Sequence, residues 1–454
     1  MIQPLPKPPR PVWQAYLALL LPMILTNMLQ SASGAIDRAY IGQLLGVDAI
    51  AAVSAFFPVM FLLLSVAIGL SSGATVLVGQ AWGAGGRDRV RAIAGTALAM
   101  MLAAGLVLGC GGALVAADLM RWLGTPAEVQ ATATAYAQAM LMVMPAIFVL
   151  WLVTSISRGT GDAVTPLAAL AIMTVCSLFL TPALILGWAG LPRLGVVGSA
   201  LSTLVAALAG LLWLALYWRH RGHPLAPSLR GLAAFRFERR LAALILRMGV
   251  PTALQMMAMA VAEIALIGLV NRHGPDGTAS YGAINLVMSW VQFPIMSLSI
   301  TASILTAQAV GAGRPERIGA ILRAGLWLNL ASTGAIVLLV HLFARPVLGL
   351  FLDDVAVAAM AAGLMRLMLW SLVLMGAASL LSGIMRGTGT VLWPAGLSMF
   401  AILGIEIPLA WLLEPQLGLP AVWIGYAACF VATPLLQGLY FMLVWRRRAV
   451  RRLL

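Results

Sequence analysis

Charge is what this chain has least of. Asp, Glu, Lys and Arg make up 9% of its 454 residues, where soluble domains carry about 25%. That scarcity excludes an ordinary water-facing surface. Cysteine is rare too: Cys110, Cys176 and Cys429 all fall inside apolar stretches, so they read as small buried hydrophobes and neither a disulfide framework nor a thiolate metal centre is expected. The four histidines, His220, His223, His273 and His341, fit no HExxH or other metal spacing within an apolar stretch. No intramembrane pair of catalytic groups stands out, and no resident cofactor or enzyme activity is expected.

Apolar residues fill the space that charge leaves. They are 62% of the chain, with a mean hydropathy of +1.00, and they form runs long enough to cross a bilayer. Twelve spans are expected, at roughly 12–36, 48–76, 92–117, 129–154, 165–187, 195–218, 243–270, 278–308, 318–342, 355–382, 391–413 and 420–445. Several exceed the minimum of about 20 residues, so tilted or kinked helices follow. The fold class is an all-α polytopic membrane protein.

The net charge of +14 raises nucleic acid as a partner, but its distribution argues against it. With both termini in the cytoplasm, only Arg38, Arg121, Arg193, Arg272, Arg345 and Arg366 lie near outer helix ends. The other 22 of the 28 basic residues fall on the inner side, including Lys7, Arg10, Arg87–Arg91, Arg219–Arg247, Arg314–Arg323 and Arg446–Arg452. That is the positive-inside bias, with the basic patches meeting anionic lipid headgroups. The proline-rich first ten residues precede a span longer than a signal-peptide apolar region and without a clear cleavage site, so that span reads as retained.

The chain is duplicated. GQAWGAGGRDRVRAI after the second span matches AQAVGAGRPERIGAI after the eighth, pairing Gln80 with Gln308, Gly83 with Gly311, and Arg89 with Arg317. SISRGTGDAVTP after the fourth span matches SGIMRGTGTVLWP after the tenth, pairing Arg158 with Arg386 and Pro166 with Pro394 at the same offset. The expected organisation is an N-lobe of six spans (1–218), a basic cytoplasmic linker (219–240), partly an amphipathic helix on the membrane, and a C-lobe of six spans (241–454). An even number of spans per lobe relates the lobes by a pseudo-two-fold axis along the membrane normal. The glycine-rich turns follow no strand and match no Walker pattern, so they read as mirrored structural joints.

The first span carries the oddest pattern. Pro22 interrupts an apolar helix, and Thr26 or Asn27, Gln30, Ser33 and Asp37 recur at steps of three and four, sharing one face. Lipid offers this stripe no partner, so it must face protein or a water-filled cavity. Asp37 closes the span. A carboxylate near the bilayer centre costs about 2.5 to 3.5 kcal/mol on insertion scales, which makes it a functional-site candidate. The alternative is interhelical glue at Asn27, Gln30 and Ser33, with an interfacial Asp37 paired to Arg38.

Two further acids lie within spans. Glu263 of the seventh matches Asp37, since IDRAYIG aligns with AEIALIG; it reads as a proton-binding group or as half of a structural pair with an arginine. Glu406 of the eleventh span has no acidic counterpart. Gln255, Met256 and Met259 precede Glu263, with Met256 and Met259 on its face. Flexible thioethers suit a cavity for varied apolar shapes, although core filler is the other reading. Trp290 and Phe293 on the eighth span are aromatic candidates of the same kind.

These motifs, in order and duplicated, resemble the bacterial multidrug and toxic compound extrusion (MATE) family over essentially the whole chain. The resemblance rests on IDRAYIG, the QAWGAGGRD and QAVGAGRPE turns, WLGTPAEV, FLDDVAV, and RGTGD with its partner RGTG. It implies two lobes in a V that exchange inward- and outward-open states. It also implies a monomeric antiporter in the bacterial inner membrane, exporting organic cations or amphiphilic drugs in exchange for H+ or Na+. The family's first-span aspartate falls on Asp37 and its proline on Pro22. Sodium-binding members place an Asn and an Asp one turn apart on the fifth span, where this chain has Ser177 and Thr181, a loss of hard-cation ligands that disfavours sodium. Members with a seventh-span acid carry it about one turn nearer the proline than Glu263, near Met259, and no acid lies mid-way along the tenth span here. Protonation of Asp37 is expected to break its bonds to the polar stripe, bend the helix near Pro22 and release a cation. The runner-up is a flippase for a lipid-linked sugar or other amphiphile; a non-transporting membrane scaffold is the third reading.

Overall fold

A computed structural model describes residues 11–190, 192–226, 237–450 and 452–454. Lys7 and Arg10 of the basic tail, and residues 227–236 of the linker with the expected amphipathic helix, lie outside them. Ten stretches are long and apolar enough to cross a membrane. One of these, Arg239–Gly311, holds two helices separated by a short turn at Asn271–His273, and a pair bent by 42° supplies another span. The described residues thus form twelve spanning helices, two sets of six. They are α1 (Val12–Leu45), α2 (Val47–Gly83), α3 (Arg87–Leu114), α4 (Ala127–Gly159), α5 (Val164–Leu186) and α6 (Val196–His220). The second set is α7 (Arg239–Val270), α8 (Gly274–Gly311), α9 (Arg317–Leu342), α10 (Val355–Leu369 and Ser371–Gly387), α11 (Leu392–Leu417) and α12 (Pro420–Leu443).

The spans outrun their apolar cores. Helix α1 continues past Asp37 through Arg38 and Gln43 to Leu45, so Asp37 is an interior residue and not the end of the helix. Hydrophobicity stops at the first charge, but backbone hydrogen bonding does not. The turn is made only at Gly46, whose φ of 87° suits a residue without a Cβ. Within α11, residues Ile402–Glu406 form one wide turn with a π-type pattern, a feature that concentrates at functional sites.

Each set of six has its own apolar core, but the first helix of each begins in the other's. Tyr16 and Leu20 of α1 are buried among Leu298, Ile321, Leu380 and Tyr440, and the Tyr16 hydroxyl donates to the Ile321 carbonyl at 3.0 Å. Reciprocally, Leu241, Ile245 and Met248 of α7 are buried in the cluster of α2–α6. A boundary drawn in the sequence at 218–241 therefore separates the repeats, not the packing.

The duplicated motifs join the lobes crosswise. Gln80 at the end of α2 donates its amide to the Gly387 carbonyl at 3.1 Å, and Gln308 at the end of α8 donates to the Gly159 carbonyl at 2.9 Å. Each glutamine of one repeat thus binds the RGTG turn of the other, which is the mirrored joint expected from the repetition. The helices cross closely enough that a methyl group on Gly83 would strike the Gln308 carbonyl, and one on Gly311 the Gln80 carbonyl. Among the described residues, every hydrogen bond between the lobes lies between this end and the middle of α1. None is seen at the level of Asp37.

Candidate functional site

Asp37 is half-buried and faces α5 and α6. The Ser177 hydroxyl donates to its Oδ1 at 3.2 Å and the Thr181 hydroxyl at 3.4 Å. These two are one turn apart on α5, with their oxygens 3.2 Å from each other. Behind them, Ser202 of α6 lies 2.8 Å from Thr181 Oγ1. Ser177 is 7% exposed, Thr181 1% and Ser202 0%, so among the described residues these hydroxyls bond one another and the carboxyl. Tyr136 of α4 lies within electrostatic reach of Asp37.

The chemistry of the set is uniform: one carboxyl and three hydroxyls. A hydroxyl both donates and accepts, and its proton rotates. Around a charged carboxylate, Ser202 donates to Thr181, and Thr181 and Ser177 donate to Asp37. Around a protonated carboxyl, one of these oxygens turns to accept its proton while the carbonyl oxygen still accepts. No fixed cation holds the group in one form: Arg38 turns back to its own helix and donates to the Gly34 carbonyl at 3.1 Å, and among the described residues no ion pair forms at Asp37. The Asp37–Arg38 pair of the alternative reading is therefore not formed.

The polar stripe on α1 does not bind Asp37. Asn27 instead crosses to the other lobe, donating to Ser297 Oγ of α8 at 3.0 Å. Thr26 bonds the Pro22 carbonyl of its own helix at 2.7 Å. Gln30 is exposed and Ser33 half-buried. The hydrogen-bond partners of Asp37 are those on α5. Ser202 and Tyr136 escaped the sequence reading, because a lone serine or tyrosine in a span carries no periodic signal.

In the second lobe the structure gathers residues that the sequence left scattered. Glu406, 4% exposed, sits in the wide turn of α11, next to the Cys429 thiol of α12. The hydroxyls of Tyr281 (α8) and Tyr426 (α12) are 3.0 Å apart, and both lie within electrostatic reach of Glu406 and Glu263. The two glutamates, unrelated by the repeat, thus converge on one tyrosine pair. Glu263 is exposed, and among the described residues no arginine pairs with it. Met259 (44% exposed) shares its side of α7, with Met256 and Gln255 half-buried nearer the proline, while Trp290 (48% exposed) tilts against Phe293 at 6.2 Å.

Comparison with known proteins agrees with this architecture. The MatE family model matches residues 22–183 and again 251–412, once per repeat. The probable multidrug resistance protein YoeA of Bacillus subtilis (strain 168) is 40% identical, covering 98% of this chain and 96% of that protein. The probable multidrug resistance protein NorM of Thermotoga maritima is 25% identical over 95% of this chain and 93% of its own length. A crystal structure of a MATE protein in the bent conformation superposes with a TM-score of 0.87 at 24% identity, covering 95% of this chain and 94% of that one. A structure of the Vibrio cholerae MATE transporter VcmN superposes at 0.88 with 18% identity, covering 97% and 98%. With twelve helices in two repeats and the family unit matched in both, this chain belongs to the MatE family, whose members are membrane transporters and not enzymes.

Proposed function

We propose that the chain is a secondary active multidrug exporter that trades organic cations or amphiphilic drugs for protons. The relatives named as multidrug resistance proteins support the substrate class. The observation that carries the choice of ion is the hydroxyl set at Asp37: Ser177, Thr181 and Ser202 satisfy the carboxyl in either protonation state by rotating three O–H bonds. Sodium is disfavoured by the same set, which offers a single carboxylate where a hard cation gathers several oxygen ligands and charge.

In this reading the charged carboxylate is gripped by α5 and holds a cationic drug in the N-lobe cleft. Protonation weakens the grip, and α1 is free to bend at Pro22, where the missing N–H leaves the Ala18 carbonyl without its helical partner. Glu406 and Glu263 at the Tyr281–Tyr426 pair form a second candidate coupling cluster. Met256, Met259 and Trp290 supply adaptable apolar contacts for the drug. The basic connections, the start of α1 and the end of α12 share one end of the bundle; the positive-inside bias supports a cytoplasmic orientation for that end, in keeping with a transporter of a bacterial inner membrane. The membrane potential contributes about 2.3 kcal/mol per net charge per 100 mV.

The test is ethidium efflux from proteoliposomes under an imposed pH gradient or an imposed sodium gradient, for the wild type and Asp37→Asn. The pH gradient drives efflux in the wild type, and Asp37→Asn loses that response while remaining folded. Unchanged drug–proton exchange in Asp37→Asn removes Asp37 from the mechanism, and efflux driven by sodium alone overturns proton coupling.

A further inference from the structure

The crossed glutamine joint is symmetrical except in one respect. The Gln80 amide oxygen accepts from the backbone N–H of Leu453 at 3.0 Å, and among the described residues the Gln308 amide oxygen has no equivalent donor. The two RGTG turns differ in the same way. Gly161 and Gly389 both have left-handed φ, 92° and 91°. Beside Gly161 the nearest side-chain atom is the Gln308 amide, 3.4 Å from where a Cβ would stand; beside Gly389 the Leu453 methyls fill that space at 2.8 Å.

The chain beyond α12 makes this difference. Trp445 anchors it in its own lobe, with Nε1 donating to Thr388 Oγ1 at 3.4 Å, and Val450 packs on the cluster that includes Leu298, Ile321 and Trp445. It then crosses over. Leu453 and Leu454 pack on the large cluster built mainly by α2–α6, which also takes in Ala307 and Val391 of the second lobe, and Arg452 and Leu454 wall a recess of about 230 Å³ with Gln80, Ala81 and Arg89 of the first lobe and Gly311 of the second. The chain beyond α6, the matching element of the other repeat, stays at home: His223 stacks on Trp82 and Trp218 of its own lobe.

We propose that Arg452–Leu454 is a strap that holds the lobes together at the end of the bundle where α1 begins and α12 ends. It is covalently part of one lobe and bonded to the other at Gln80, so the lobes cannot separate there without releasing it. The repeat supplies only the crossed glutamines; the strap is an addition that biases the two-state equilibrium towards closure at this end, whichever ion drives transport.

The test is the distance between the lobes, measured by double electron–electron resonance with spin labels on Asp88→Cys and Glu316→Cys, both exposed sites on opposite lobes. The three native cysteines are replaced by serine. Leu453→Pro removes the N–H donor and leaves every transmembrane helix unaltered; deletion of 452–454 removes the strap. Losing one such bond raises the ratio of open to closed molecules roughly three- to tenfold, seen as a longer-distance component, and Leu453→Ala, which keeps the N–H, gives a smaller rise. Distributions for Leu453→Pro and Leu453→Ala that match the parent, in protein that melts like the parent, overturn the strap. Because the readout is a distance and not drug export, failure of the proton reading leaves this result standing, and the converse holds too.

Discussion

His223 shows how a single residue outside the spans is set by its surroundings. Its ring stacks between the indoles of Trp82 and Trp218, with centroids at 5.9 and 5.3 Å, and its Nδ1 accepts from the Leu225 N–H at 3.3 Å. Burial pushes its pKa below the ordinary 6.5, and the charge of Asp162 opposes that only in part. A base whose value is depressed by folding binds protons more readily when unfolded, so stability rises with pH across the window between the two values. The contribution is complete above about pH 6.5 and is lost as the pH falls below it. Thermal melts in detergent should therefore show stability falling on acidification from pH 7 to 5, with a shallower fall in His223→Phe, which keeps the stack and removes the titrating group. An equal slope in both proteins refutes the assignment. The same scale explains why most, but not all, of the Asp37 site was legible in advance. Asp37, Ser177 and Thr181 stand out as polar residues in oil or at family positions, whereas Ser202 has meaning only when α6 is laid against α5.

At the scale of the helix, the joints are more constrained than the spans. Gly83 and Gly311 are where α2 and α8 cross, each pressed on the carbonyl of the other repeat's glutamine. Gly83→Ala should destabilise the protein by about 1–3 kcal/mol, the usual cost of overpacking, measured as a lower melting temperature, and Gly311→Ala should do the same. If one alanine is harmless while the other is not, the joint is not symmetrical at these positions. Helix count and repeat were readable from hydropathy and from the 228-residue offset between Gln80 and Gln308. The extension of α1 beyond Asp37 was not, since a hydropathy window ends at the first charge. Nor was the convergence of Glu406 and Glu263, which depends on the wide turn of α11 and on tyrosines from two other helices.

For the whole molecule, the exchange of first helices matters most. The start of α1 is buried in the core of α8, α9, α10 and α12, and its later turns are held by α5 through Asp37. It spans the two lobes and lacks one backbone hydrogen bond at Pro22, with Met23 and Asn27 beyond it still bonded to α8. Any rotation of one lobe on the other must load the stretch of α1 between Asn27, bonded to α8, and Asp37, bonded to α5.

The same exchange bears on biosynthesis. As the ribosome delivers the first repeat, the niche that Leu241, Ile245 and Met248 will fill is still vacant, and Tyr16 waits for a neighbour some three hundred residues downstream. Neither product of a split gene, divided within 227–236, should mature alone. Synthesised in one cell they should find each other and assemble, so that pull-down of either tagged fragment brings the other with it, while a fragment made alone is degraded by quality-control proteases.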